Sequence, residues 1–154
     1  MSGTHYFEVT TPVSPPLKGG ITAEILEEGK PTNYIIRSDK DWSVKVDWFL
    51  EGALTDCICG NWCLHLYMES IGPGPEFVLP YGEVRVPLEP CGDGRYSYEI
   101  KVRPGTVRPE HCSVPYKLVV ALTYRTPVCD KPGPMAGFCE LPIIQFYESD
   151  KQGT

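Results

Sequence analysis

At 154 residues the chain is long enough for one domain that buries a core without needing disulfide or metal staples. Fourteen Lys and Arg against twenty Asp and Glu give a net charge of -6, a field that repels phosphate backbones and anionic headgroups, so nucleic acid is excluded as an expected partner. No run approaches the roughly eighteen apolar residues of a membrane helix, which excludes membrane insertion by helices, while sixteen prolines and fifteen glycines punctuate the chain into many short elements.

The opening MSGTHYFEVTTPVSPP has neither a basic n-region nor an apolar h-region, so no signal peptide is expected. The expected location is cytoplasmic, or extracellular if a signal has been removed. In a reducing compartment the seven cysteines are free, metal-bound or redox-active rather than paired. HYFEVT reads as a short strand, VSPPLKGG as a loop, and ITAEILEE as a strand, its short glycine-rich flanks arguing against a helix. NYIIRS is a further short strand.

WSVKVDWFLE alternates with period two. Trp42, Val44, Val46, Trp48 and Leu50 share one face, while Ser43, Lys45, Asp47 and Glu51 share the other with Phe49. WCLHLYME, EFVLP and EVRVPLE follow as candidate strands. RYSYEIKVR turns Tyr96, Tyr98, Ile100 and Val102 inward and carries a complete polar face, so it faces water. RPGTVRPEHCSVP reads as a loop. PYKLVVALTYR turns Tyr116, Leu118, Val120, Leu122 and Tyr124 inward, and the apolar Val119 and Ala121 on its reverse mark a two-sided, central strand. TPVCDKPGPMAGFC reads as a loop and ELPIIQFYE as the closing strand.

Strands at this spacing, without helix-length segments for parallel crossovers, predict an all-β fold. The architecture expected is an antiparallel, immunoglobulin-like two-sheet β-sandwich of about eight to ten strands with little or no helix. It forms a single domain over residues 1–154, with flexible ends at about 1–4 and 149–154. The Cys, Trp, Cys spacing of antibody domains is not reproduced around Trp42, Trp48 or Trp62.

The segment DCICGNWCLH places three cysteines and a histidine in ten residues. Cys57, Cys59, Cys63 and His65 have the chemistry of a tetrahedral zinc site. Gly60 and Asn61 suit a two-residue hairpin turn, which would put Cys57 and Cys59 on the face of Trp62 and send Cys63 and His65 to the other. A three-residue loop would bring all four to one face. The two-residue turn fits the glycine better, so packing thiols are the expectation, with zinc or a Cys59–Cys63 disulfide as alternatives. Cys91, Cys112, Cys129 and Cys139 fall in or beside loops, where an oxidising environment could pair them.

Catalytic signals are sparse. His111 beside Cys112 points apart on extended chain, Asp39, Asp41 and Asp93 are spaced as turn caps rather than as a calcium loop, and Glu69 and Glu76 have no fixed separation. Walker, GxGxxG, GxSxG and HExxH motifs are absent, so no enzymatic activity is expected. Aromatic residues that break the inward pattern or sit in loops, Phe49, Tyr67, Tyr81 and Phe138, are candidates for a recognition surface. Beside them GPGPEF, with Pro73 and Pro75, and PGPMAGF, with Pro134, suggest rigid presenting loops. The function expected is a non-enzymatic binding or assembly module without cofactor, offering this surface to a protein partner or to itself as a homo-oligomer. The alternative is a zinc-binding or thiol-redox protein using Cys57, Cys59, Cys63 and His65.

Overall fold

The computed structural model describes residues 3–7, 17–32, 35–108 and 114–148, with the side chains of all but 81–83. Among the described residues eleven strands, against the eight to ten expected, run in chain order: β1 (His5–Phe7), β2 (Lys18–Glu27), β3 (Lys30–Pro31), β4 (Ile35–Arg37), β5 (Trp42–Glu51), β6 (Asn61–Ser70), β7 (Phe77–Pro87), β8 (Arg95–Val102), β9 (Tyr116–Arg125), β10 (Pro132–Glu140) and β11 (Gln145–Tyr147). Helical structure among the described residues is one 3-10 turn, Thr55–Cys57. One sheet has the order β1-β2-β5-β8 with β3 folded onto the end of β2, and a second has the order β10-β9-β6-β7. The chain therefore crosses between sheets after β5, after β7 and again after β8, as an all-β two-sheet sandwich.

Alternation explains which side chains fill the space between the sheets. The inward sets read from β5 and β9 are buried as expected, from Trp42 through Leu50 and from Tyr116 through Tyr124. They meet in one connected core with Trp62, Leu64, Leu66 and Met68 of β6. Aromatic rings concentrate at its two ends. Trp62 meets Phe7, Trp48, Tyr96 and Tyr124 at one end, and Phe146 meets Trp42 and Tyr116 at the other. The buried indole N–H groups of Trp48 and Trp62 find no hydrogen-bond acceptor among the described residues, and these rings contribute through apolar area and ring packing.

Four features depart from the expectations. β11 pairs with β4 in parallel, not antiparallel, because the two strands are joined by most of the fold rather than by a hairpin, and burying Ile36 and Phe146 sets their direction. EFVLP and EVRVPLE join into the single strand β7, whose register shifts between Leu64 and Leu66 of its partner. PGPMAGF is not a loop but part of β10. β8 is an edge strand, so its inward tyrosines lie at the open margin: Tyr96 is half-buried and Tyr98 is exposed. The outer parts of HYFEVT and NYIIRS, the His111–Cys112 pair, the first half of VSPPLKGG and the tail 149–154 lie outside the described residues.

Candidate functional site

The segment around Gly60 forms neither hairpin. β5 ends at Glu51, and residues 52–60 carry the chain across to the other sheet through the 3-10 turn. The Thr55 N–H and hydroxyl both donate to the Gly52 carbonyl there. β6 takes its partners from far along the chain, Cys63 pairing with Thr123 and Arg85 and His65 with Ala121. Gly60 has φ +130°, and a Cβ on it would run into the Arg125 carbonyl oxygen, so glycine serves a close crossing beside β9.

The expected packing of Cys57 and Cys59 beside Trp62 is therefore corrected: both are exposed in the crossing. Trp62 does face the core, and Cys63 and His65 do take the opposite face of β6. Cys63 is buried there, His65 is half-buried, and Cys63 Sγ lies 4.0 Å from His65 Nδ1. Among the described residues no three His, Cys, Asp or Glu side chains converge as a metal ion requires.

The outer face of the β10-β9-β6-β7 sheet brings other residues together. Side chains directly opposite one another share a face. One row runs Phe138, Ala121, His65, and the next runs Glu140, Val119, Tyr67, Val78. Phe138 is 59% exposed, Val78 46% and Tyr67 40%. Strand spacing places Phe138 and Tyr67 about 12 Å apart across β9, with half-buried Val119 and buried Ala121 filling the floor between them. These form one apolar patch, whose margin carries the Lys117–Glu140 ion pair at 3.1 Å.

A second charged group closes the upper margin. Asp130, in the β9–β10 turn, accepts two hydrogen bonds from Arg85 at 2.7 and 3.0 Å and one from Arg125 Nε at 2.9 Å. Hydrogen bonds from Arg85 and then Arg125 hold the Asp130 carboxyl well below the usual carboxylate range. The patch is thus framed by paired rather than open charges.

Of the other residues singled out, Phe49 is not on this face. It lies half-buried on the outer side of the opposite sheet, over Gly20 and with the Arg95 guanidinium 5.7 Å from its ring centre. Pro73 and Pro75 are exposed in the β6–β7 connection. That connection is pinned by Ser70, whose hydroxyl donates to the Gly72 and Gly74 carbonyls, and by Tyr116, whose hydroxyl donates to the Pro75 carbonyl. The Tyr81 side chain lies outside the described ones. Pro134 is exposed on β10, and Pro80, Pro87, Pro132 and Pro134 all fall on the sheet's two edge strands. A missing N–H is harmless there and blunts edge-to-edge pairing, so the Gly-Pro run at 131–138 is edge protection rather than a presenting loop.

Val78, Val119 and Ala121 were not among the recognition residues read from sequence. The one available signal was the apolar reverse face of PYKLVVALTYR. No protein family, curated protein or solved structure matches the chain. Among the described residues no helix is long and apolar enough to cross a membrane.

Proposed function

We propose that this chain is a non-enzymatic binding or assembly module of immunoglobulin-like architecture. Its contact surface is the outer face of the β10-β9-β6-β7 sheet. The supporting observation is the apolar patch of Tyr67, Val78 and Phe138 on a floor of Val119 and Ala121. A patch of aromatic and β-branched side chains framed by polar groups is how recognition surfaces are built. The sheet orders β2-β5-β8 and β10-β9-β6-β7 match the partition of an immunoglobulin-like sandwich, with the buried Trp62 on the strand that carries the core tryptophan in that architecture. The partner is a protein surface, and a second copy of this chain is the first candidate. Lys117 beside Glu140 gives the margin both signs of charge, which a two-fold interface can pair with itself.

Sedimentation velocity from micromolar to several hundred micromolar chain tests this. The wild type is expected to form a concentration-dependent dimer, and the double variant Tyr67→Ser, Phe138→Ser is expected to weaken it at least tenfold while shifting Tm by less than about 3 °C. A variant that associates like the wild type, or a wild type that stays monomeric throughout, would overturn self-assembly through this face.

A further inference from the structure

Cysteines scattered along the sequence come to one end of the sandwich. Strand pairing puts the connections 52–60, 88–94 and 126–131 at the same end, since Asn61 pairs with both Pro87 and Arg125, and Phe49 pairs with Arg95. Cys57 and Cys59 lie in the first connection, Cys91 in the second and Cys129 in the third, and all four are exposed. Cys63 and Cys139 are buried within the sheet.

The first connection is tied to the second and to the end of β9 that leads into the third. The Leu88 N–H donates to the Gly60 carbonyl at 2.9 Å, and the Tyr124 hydroxyl donates to the Cys59 carbonyl. A Cβ at Gly94 would meet the Leu50 carbonyl oxygen and reach the Thr55 methyl group. Cys59 therefore stands between the connection that bears Cys91 and the one that bears Cys129. Leu54 and Ile58 pack against the core from the first connection, which anchors it while leaving its two thiols outward.

We infer that this end is a thiol–disulfide site. On meeting a small disulfide of the glutathione class, Cys57 or Cys59 closes an intramolecular disulfide with Cys91 or Cys129. A thiolate of one cysteine attacks the small disulfide, forming a mixed disulfide and releasing one small thiol. The second cysteine attacks the protein sulfur of that mixed disulfide and releases the other, so two protein thiols are oxidised as one disulfide is reduced to two thiols.

Three considerations favour this chemistry. Attack needs access, which these thiols have and Cys63 and Cys139 lack. A disulfide needs two sulfurs with Cα atoms about 4.4–6.8 Å apart, whereas a metal needs three or more donors converging, an arrangement not found among the described residues. The chain links are short: Cys91 lies three residues beyond Leu88, a span of about 10 Å at most, and the Leu88 N–H is bonded to Gly60, the neighbour of Cys59.

The test uses the full chain, fully reduced, freed of reductant and incubated with oxidised glutathione, then acid-quenched, alkylated and mapped by mass spectrometry. The expected product is a monomer lacking two alkylatable thiols, without a glutathione adduct, in which a peptide holding Cys57 and Cys59 is joined to one holding Cys91 or Cys129. Its Tm is expected to rise by about 5 °C or more, as for a loop-closing cross-link. Cys63→Ser keeps the bond, and Cys57→Ser with Cys59→Ser abolishes it. Seven alkylated thiols, a stable glutathione adduct, a link between chains, or a bond made by Cys63, Cys112 or Cys139 instead would overturn the inference, and the wild-type map decides without either variant.

Discussion

The two outer faces of the sandwich rest on the same core yet solve opposite problems. On the β2-β5-β8 face the cross-strand rows read Thr22, Asp47, Ser97 and Glu24, Lys45, Glu99, a ladder of polar and opposite-charge neighbours that water solvates well. On the β10-β9-β6-β7 face the rows read Phe138, Ala121, His65 and Glu140, Val119, Tyr67, Val78. Both faces are built from antiparallel ladders, and side-chain choice sets them apart. An antiparallel sheet with one solvated face ordinarily takes the first pattern, and the second is what a covered surface takes.

Breaking what the faces share gives the largest expected effect. Trp62 is fully buried and touches rings from both sheets. Trp62→Ala should cost about 3–5 kcal/mol and lower Tm by about 10 °C or more, measured by thermal and urea unfolding. Both faces should lose their order together. A loss below about 1 kcal/mol would mean that the two sheets do not share one core at this end.

A pair of phenylalanines separates the faces more finely. Phe49 covers Gly20 and takes the Arg95 guanidinium on its ring, so Phe49→Ser removes packing and should cost about 1–2 kcal/mol in urea unfolding while leaving association unchanged. Phe138 projects from an edge strand and is 59% exposed, so Phe138→Ser should change stability by less than about 0.5 kcal/mol and weaken association. Reversed outcomes would exchange the roles of the two faces.

The same pair shows how far the sequence reaches. Phe49 breaks an alternating pattern and Phe138 sits in a Gly-Pro run, and local pattern could not say that they belong to opposite sides of the molecule; strand order decides that. β5 and β9 were legible because period-two alternation is local and their inward sets are long. Gly60 was not legible as a crossing, because Gly-Asn is equally a turn signal, and what decides is the pairing of Asn61 with Arg125, far along the chain. The run PGPMAGF was misread because proline usually ends a strand, whereas on the outer side of an edge strand its missing N–H removes no ladder bond. Of the patch, Tyr67 and Phe138 were visible as aromatics out of place. Val78 was not, since only the Tyr67–Val78 register brings it alongside.

The smallest effect should come from the charged upper margin of the patch. Asp130 adopts φ +49°, a left-handed conformation that Asn tolerates as well as Asp, so Asp130→Asn removes the charge while keeping the turn. Loss of the Arg85 and Arg125 pairings should loosen the β9–β10 turn. Amide exchange at Thr126, which donates to the Lys131 carbonyl, and at Lys131, which donates to the Thr126 hydroxyl, should speed up several-fold, with Tm nearly unchanged because the pairs are exposed. A carboxyl whose folded pKa is lowered adds stability above its unfolded value, and that stability is lost as pH falls through the folded one. With Asp130 held well below the usual carboxylate range, lowering the pH from 7 to about 4 should leave the wild-type turn protected. The variant should already exchange fast at pH 7, and a wild-type turn that opens near pH 4 would show that the two arginines do not hold this carboxylate in solution.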